Sequence, residues 1–158
     1  MSVHGYRQFA LKLALLTWAA CGSGAFAADS LDLAQYRGKV VLVDFWASWC
    51  TPCRHSFPWL NEMQSKYADR GLVVIAVNVD RERNKAEQFL RDVPAHFKIV
   101  YDPSGTLATQ YEVPGMPASF VFGPDGRLAG KHIGFQRSSR TNREIELEKL
   151  LPPTVRPD

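Results

Sequence analysis

Two cysteines three positions apart, Cys50 and Cys53, are the residues whose type and spacing most directly suggest chemistry. They follow a nearly continuous apolar run, Val40 to Phe45, which predicts a strand buried on both faces. If a helix begins at Cys50, unpaired backbone N–H groups and the helix dipole favour a thiolate there, and Cys53 lies one turn on, within disulfide reach. Pro52 suits an early helical position, where its missing N–H would have no intrahelical partner. The order strand, loop, dithiol, helix is therefore predicted.

Asp44 is the second residue with a predicted chemical role. It is an ionisable side chain inside a run of valine, leucine and phenylalanine, so it should be desolvated. Desolvation raises the pKa of a carboxyl group and makes it a proton acceptor near neutral pH. The alternative is that Asp44 ends the strand by hydrogen-bonding nearby loop amides. We favour proton transfer because the dithiol follows so closely.

The start of the chain has the features of a secretory signal. Basic residues precede an apolar run from Leu13 to Ala20, and a small-x-small cleavage sequence follows at Ala25 to Ala27. Because the apolar run is shorter than the roughly 20 residues that cross a bilayer, cleavage is favoured over an uncleaved anchor. The sequence predicts a cleaved signal at 1–27, one domain at 28–158, and export from the cytoplasm.

The number of cysteines favours redox chemistry. Of the three in the chain, Cys21 would leave with the signal, so only Cys50 and Cys53 remain and no disulfide framework explains them. A staple that closes so short a loop would stabilise the domain little, and zinc would need a second ligand pair. Acylation of Cys21 as a lipoprotein is a minor alternative, because Trp18 is bulky where small or aliphatic residues are expected.

The charge of the chain argues against two classes of partner. The formal net charge is +3, and without Arg7 and Lys12 of the predicted signal 17 basic residues face 16 acidic ones. Such a balance gives no electrostatic basis for binding nucleic acid or an anionic membrane.

The segment VLVDFWASWCTPCR resembles the active-site segment of the thioredoxin superfamily. The longer RGKVVLVDFWASWCTPCRHSFPWL is similar in particular to the TlpA/ResA-like periplasmic thiol–disulfide oxidoreductases. The resemblance extends from Leu31 to Leu150. It implies an α/β thioredoxin fold, with a central mixed β-sheet flanked by helices on both faces and an insertion near residues 80 to 95.

Apolar periodicity predicts the elements of this domain. A helix follows the dithiol, and a second begins after a charged loop at 80–84. Further strands are expected at 72–79, 98–101, 118–122 and, as an edge strand, 127–133. Thr141 and Glu144 are spaced as a capping box for the last helix, whose predicted buried face is Ile145, Leu147, Leu150 and Leu151.

The sequence Gly115-Met116-Pro117-Ala118 carries a second match to the family. Pro117 stands directly before a predicted strand, so it is a candidate cis proline, with an ordinary trans proline as the alternative. The resemblance favours cis, beside the dithiol, with the backbone of Met116 pairing with a bound substrate strand. The predicted substrate-binding residues are therefore Trp49, Thr51, Pro52, Met116 and Pro117.

The resemblance implies an enzyme that needs no cofactor. The Thr51-Pro52 pair inside the motif is similar to reducing members of the superfamily, so we expect reduction of disulfides in exported proteins, with apocytochrome c among the candidates. A membrane protein would supply the electrons, and the domain is expected to be a monomer. Many ResA-like reductases carry an acid where this chain has Ser56, so a dedicated role in cytochrome c maturation does not follow.

Other interpretations of the same residues remain open. An oxidase or isomerase of disulfide formation is the alternative within the class. A copper chaperone would hold Cu(I) with the two cysteines and either Met116 or His132. A disulfide-stapled interaction domain is the redox-inactive interpretation. Around the thiols, Trp46 and Trp49 could shape the surface or pack inside, while His55, His96 and His132 are expected at the surface or edge of the domain.

Overall fold

A five-stranded mixed sheet forms the centre of the computed structural model, which describes residues 31–153. The strand order is β3-β2-β1-β4-β5. The strands are β1 Val40–Trp46, β2 Leu72–Asn78, β3 Lys98–Tyr101, β4 Ala118–Phe122 and β5 Leu128–Ile133. The α-helices are α1 Thr51–Tyr67, α2 Arg83–Asp92, α3 Thr106–Gln110 and α4 Arg140–Leu150, and short 3-10 turns lie at Ala34–Tyr36, Ala68–Arg70 and Arg137–Ser139.

The central strand, β1, carries the dithiol loop at its end. It runs parallel to β2 and antiparallel to β4, and all seven of its residues are buried. β2 and β3 are also parallel, so α1 and α2 serve as crossovers, whereas β4 and β5 form an antiparallel pair at the other edge. The predicted α/β thioredoxin fold is confirmed.

Successive side chains of β1 enter two separate cores, because a strand alternates its faces. Leu42 and Trp46 join one core with residues from α1, α2 and α4. Val43 and Phe45 join the other with residues from α3 and the segment before β1. Helices therefore cover both faces of the sheet, as the sequence predicts. No helix within residues 31–153 is long and apolar enough to span a membrane.

The start of the last helix differs from the prediction. Ser139 precedes α4 without any side-chain capping bond, so the capping box of Thr141 and Glu144 is wrong. The Glu144 carboxylate instead accepts hydrogen bonds from Lys66 Nζ at 2.6 Å and Tyr67 Oη at 2.8 Å. Because Lys66 and Tyr67 of α1 bind the Glu144 carboxylate, this side chain does not form a local capping bond.

The buried face of α4 is also partly different. Leu147 and Leu151 are buried as predicted, but Ile145 is 42% exposed. Arg143 is buried in its place, with only 8% of its surface exposed. A charged residue thus lies inside the protein where the hydrophobic pattern predicts none.

The predicted signal and Cys21 fall outside the described residues.

Candidate functional site

The two cysteines lie at the beginning of α1. Cys50 is the N-cap residue, and its Sγ accepts a hydrogen bond from the backbone N–H of Cys53 at 3.2 Å. The two sulfurs are joined in a disulfide, with the Cα atoms 5.3 Å apart. Cys50 is 4% exposed and Cys53 is fully buried. An incoming sulfur can therefore reach Cys50 first, at the end of the helix that favours an anion.

A hydrogen-bonded clamp fixes the loop between β1 and the dithiol. Asp80, just beyond β2, accepts bonds from the backbone N–H and the hydroxyl of Ser48, both at 2.8 Å. The Asn78 side chain donates to the same carboxylate at 2.7 Å. Because the loop is tied to the neighbouring strand, the helix and its first cysteine have a fixed starting point. In the sequence, this clamp is indicated by the position of an acid, Asp80, directly after a buried strand.

Asp44 lies buried in β1 and is 1% exposed. Its Oδ1 accepts a hydrogen bond of 2.5 Å from the hydroxyl of Ser119 on β4, and its Oδ2 is buried without a hydrogen-bond partner among the described residues. Asp44 thus contacts a hydroxyl on the adjacent strand rather than the loop amides of the alternative interpretation. Burial raises the pKa of Asp44 to about 7, although the Ser119 bond and the positive charge of Arg143 both act to lower it.

The Met116–Pro117 peptide bond is cis, as predicted. The carbonyl of Pro117 accepts a hydrogen bond of 2.7 Å from the N–H of Gly134, just after β5. Pro117 is buried, whereas Met116 is partly exposed. The bend before β4 is therefore fixed by the neighbouring strand's end.

Exposed residues flank the dithiol in the sequence. Trp49 is 68% exposed, and Thr51 and Pro52 are also exposed. Pro52 lines a cleft of about 460 Å³ together with residues from the end of β5 to α4, among them Phe135 and Arg143. The substrate-binding residues predicted in this part of the site are accessible to a macromolecule.

Trp46 is not part of this surface. It is fully buried, and its ring lies 4.9 Å from the ring of Phe57 and 4.7 Å from that of Phe89. Trp46 therefore packs inside the protein, and of the two tryptophans only Trp49 can shape the surface. β1 extends one residue further than predicted because Trp46 still pairs with Asn78 of β2.

The histidines and Ser56 that the sequence analysis singled out have other surroundings. His55 is exposed on α1, as expected, and the Ser56 hydroxyl donates to the Cys53 carbonyl at 3.1 Å. His132 lies on β5 with its Nε2 2.7 Å from a carboxylate oxygen of Glu146. Within residues 31–153, no group of three or more His, Cys, Asp and Glu side chains is placed to hold a metal ion.

Two residues of the site were missed by the sequence analysis, Ser119 and Arg143. Ser119 contacts Asp44 from 75 residues further along the chain, and Arg143 acts on Asp44 through its charge. A serine within ASFVF and an arginine within a polar helix carry no local pattern that distinguishes them. Only the pairing of β1 with β4 and the packing of α4 bring them to the buried carboxyl.

Comparison with known proteins agrees with this arrangement. The AhpC/TSA family profile matches residues 12–131. The chain belongs to the AhpC/TSA family. The thiol–disulfide oxidoreductase ResA of Bacillus cereus (strain ZK / E33L) is 31% identical over 124 residues, which are 77% of this chain and 69% of that relative. This AhpC/TSA member is therefore a thiol–disulfide oxidoreductase of the ResA type, with a Cys50–Cys53 pair.

Solved structures of similar proteins agree with the fold of this family member. A protein of Chlorobium tepidum assigned as a thiol:disulfide interchange protein DsbE has 42% identity and a TM-score of 0.74, covering 76% of this chain and 85% of that one. An exposed lipoprotein thioredoxin of Streptococcus pneumoniae strain TIGR4 has 27% identity and a TM-score of 0.63, covering 75% of this chain and 90% of that one.

Proposed function

We propose that the protein is a periplasmic reductase of disulfides in exported proteins, with Cys50 as the attacking and Cys53 as the resolving cysteine. The observation that carries this proposal is the difference between the two sulfurs. Cys50 caps α1 and is partly accessible, whereas Cys53 is buried behind it. A helix N-terminus stabilises a thiolate, which is the form that attacks a disulfide.

In the reduced enzyme, the Cys50 thiolate attacks one sulfur of a substrate disulfide. A mixed disulfide forms, and the other substrate sulfur leaves as a thiolate. Cys53 then loses its proton and attacks the Cys50 sulfur, which releases the second substrate sulfur. The substrate gains two electrons, and the enzyme ends with the Cys50–Cys53 disulfide that the structure contains.

Asp44 is the proposed acceptor of the Cys53 proton, either directly or through water. A carboxyl with an ordinary pKa would be almost fully ionised at neutral pH but a weak base. The burial that raises the pKa of Asp44 to about 7 makes it a stronger base that is still about half ionised there. This match between pKa and working pH supports the assignment.

Substrate recognition is proposed for the cis-proline side of the site. The backbone of Met116, before Pro117, would pair with an extended substrate segment, and Trp49, Thr51 and Pro52 would contact its side chains. The exposure of those three residues and the cis bond support this assignment.

The cellular setting is also part of the proposal. The signal-like sequence at 1–27 supports export, and the pneumococcal neighbour is described as an exposed lipoprotein. The Thr51-Pro52 pair supports the reducing direction, which requires a membrane electron donor. Apocytochrome c remains a candidate substrate, and the domain is proposed to act as a monomer.

The reduction potential of the Cys50–Cys53 couple tests the direction of electron flow. The purified protein is equilibrated in thiol–disulfide buffers, and the fraction oxidised is measured at each ratio. We expect a value near that of thioredoxin, about −270 mV. A value near about −120 mV, as in the strong oxidant DsbA, would contradict the reducing direction and indicate an oxidase.

A further inference from the structure

We propose that Arg143 is a positioning residue of the dithiol site, whose buried positive charge keeps the Asp44 carboxyl available as a proton acceptor. Its consequence for catalysis rests on the proposed function, in which Asp44 accepts the Cys53 proton. Its electrostatic part concerns only Arg143 and Asp44, and can be measured without any assumption about catalysis.

Hydrogen bonds connect both side chains to the segment around the cis proline. Arg143 Nη2 donates a hydrogen bond of 2.7 Å to the Gly134 carbonyl, and the Gly134 N–H donates one of 2.7 Å to the Pro117 carbonyl. Asp44 is bonded to Ser119, two residues beyond Pro117. The guanidinium is thus linked through Gly134 to Pro117, and the carboxyl is bonded to Ser119, two residues further along the chain.

The two side chains also lie on the same face of the sheet. Val43 and Phe45 enter the core on the α3 side, so Asp44 between them points to the face with Leu42 and Trp46. Leu147 of α4 packs on that face. Since β4 alone separates β1 from β5 and strands are about 4.8 Å apart, the charges are separated by a distance on the order of 10 Å.

Two nitrogens of the Arg143 side chain are shielded from solvent, although the residue lines the cleft and its guanidinium lies over the Phe135 ring. Nε and Nη1 are buried and have no hydrogen-bond partner in the described part of the chain, as is true of Asp44 Oδ2. Because these nitrogens are inaccessible to solvent, the charge is screened much less than a charge at the surface. A bound anion in the cleft would not reach them, so an internal role fits the geometry better than an anion-binding role.

The opposite charges of Arg143 and Asp44 each favour the ionised form of the other. The positive charge of Arg143 lowers the pKa of Asp44 against the effect of burial. Burial lowers the pKa of Arg143, while Asp44 and Glu146 raise it, and arginine remains a cation at neutral pH. Of the other groups nearby, Ser119 on β4 donates to Asp44, Cys53 on α1 is in the disulfide, and His132 on β5 contacts Glu146.

Titration of the Asp44 carboxyl by carbon-13 NMR tests the electrostatic part. The oxidised protein is used because its two cysteines cannot titrate. Arg143→Gln removes the charge but keeps an amide that can donate to Gly134, and Arg143→Met serves as a second neutral variant if the first does not fold. At an effective dielectric constant of about 20, we expect the titration midpoint to rise by about one pH unit, a tenfold change in proton affinity.

Two further variants separate charge from structure. Arg143→Lys keeps a cation, so its midpoint should stay close to that of the wild type. Arg140→Gln is the matched control, one turn earlier on α4, where the side chain is bonded to Glu62 rather than directed to the interior. An unshifted midpoint in folded Arg143→Gln or Arg143→Met, or an equal shift in Arg143→Lys, would overturn the inference.

The catalytic part is measured as the rate at which Cys53 resolves a preformed mixed disulfide on Cys50, between pH 6 and pH 9. The pH midpoint of this rate should rise with the NMR midpoint in Arg143→Gln, so that the rate falls by up to about fivefold at pH 7 and recovers at higher pH. A lower rate with an unshifted profile would mean a purely structural role and overturn the inference. A shifted NMR midpoint with an unchanged rate profile would keep the electrostatic link and contradict the proposed role of Asp44.

Discussion

Replacement of Asp44 by asparagine should stabilise the protein, but only at pH values at which the carboxyl of the unfolded wild-type chain is ionised. The pKa of Asp44 rises from 3.8 to about 7 on folding because the side chain is buried. Between these values the folded protein binds more protons than the unfolded chain, so the free energy of unfolding falls as the pH rises. At about 1.4 kcal/mol per pKa unit, a rise from 3.8 to about 7 gives a full penalty of about 4 kcal/mol above pH 7.

The sign of this effect is unusual for a protein carboxyl. An acid that is ion-paired in the folded state has a lowered pKa and stabilises the protein at neutral pH, whereas Asp44 has a raised pKa and destabilises it there. Below pH 3.8 the carboxyl is protonated in both states, and the penalty disappears. The asparagine side chain cannot ionise, so the penalty should be absent from the Asp44→Asn variant at every pH.

The assay is urea unfolding of the oxidised wild type and Asp44→Asn at pH 4, 5.5, 7 and 8.5. The added amide N–H group would lie where Oδ2 now lacks a partner, at a cost of about 1–3 kcal/mol that does not depend on pH. The decisive quantity is therefore the difference in the free energy of unfolding between the two proteins. We expect this difference to grow by about 4 kcal/mol from pH 4 to pH 8.5. Asp69→Asn, which replaces an exposed acid in the turn after α1, is the control.

A difference in the free energy of unfolding between wild type and Asp44→Asn that stays constant across this pH range would refute the reasoning. It would mean that Asp44 ionises as readily in the folded protein as in the unfolded chain. The desolvation on which both the stability argument and the proposed proton transfer depend would then be absent.

Two further predictions concern the cysteines and the tryptophans. Cys53→Ala should accumulate a stable mixed disulfide with a protein substrate, detected by mass spectrometry, whereas Cys50→Ala should form none; turnover by Cys53→Ala at the wild-type rate would contradict the assigned roles. Trp46→Ala should lower the free energy of unfolding by about 3–5 kcal/mol, because it empties a site between Phe57 and Phe89. Trp49→Ala, at an exposed position, should change it by less than about 0.5 kcal/mol, and equal losses in urea unfolding would contradict the assignment of Trp46 to the core.

The parts of the site that could be predicted are those that one short segment specifies. A buried strand, a loop and two cysteines at the start of a helix follow from Val40 to Cys53, and the desolvation of Asp44 follows from its apolar neighbours. The cis bond at Pro117 needed the family resemblance, because a proline before a strand is compatible with either isomer.

What could not be predicted depends on long-range contacts. Ser119 and Arg143 reach Asp44 only through the order of the strands and the packing of α4. The capping box at Thr141 failed for the same reason, because Glu144 found Lys66 and Tyr67 on another helix. Local patterns state what a side chain could do, and the tertiary structure decides between the alternatives.

The same Asp44→Asn variant distinguishes a functional carboxyl from a structural one. A residue retained for stability should cost stability when it is replaced, but here the replacement should gain stability at neutral pH and lose the proton acceptor for Cys53. We therefore expect the rate of mixed-disulfide resolution to fall by about 10²–10⁴-fold, the range of general base catalysis, while formation of the mixed disulfide by Cys50 is much less affected. Both steps can be followed by quenching with acid and separating the species by mass. A gain in stability without loss of the resolving step would leave the buried charge without a role in the reaction.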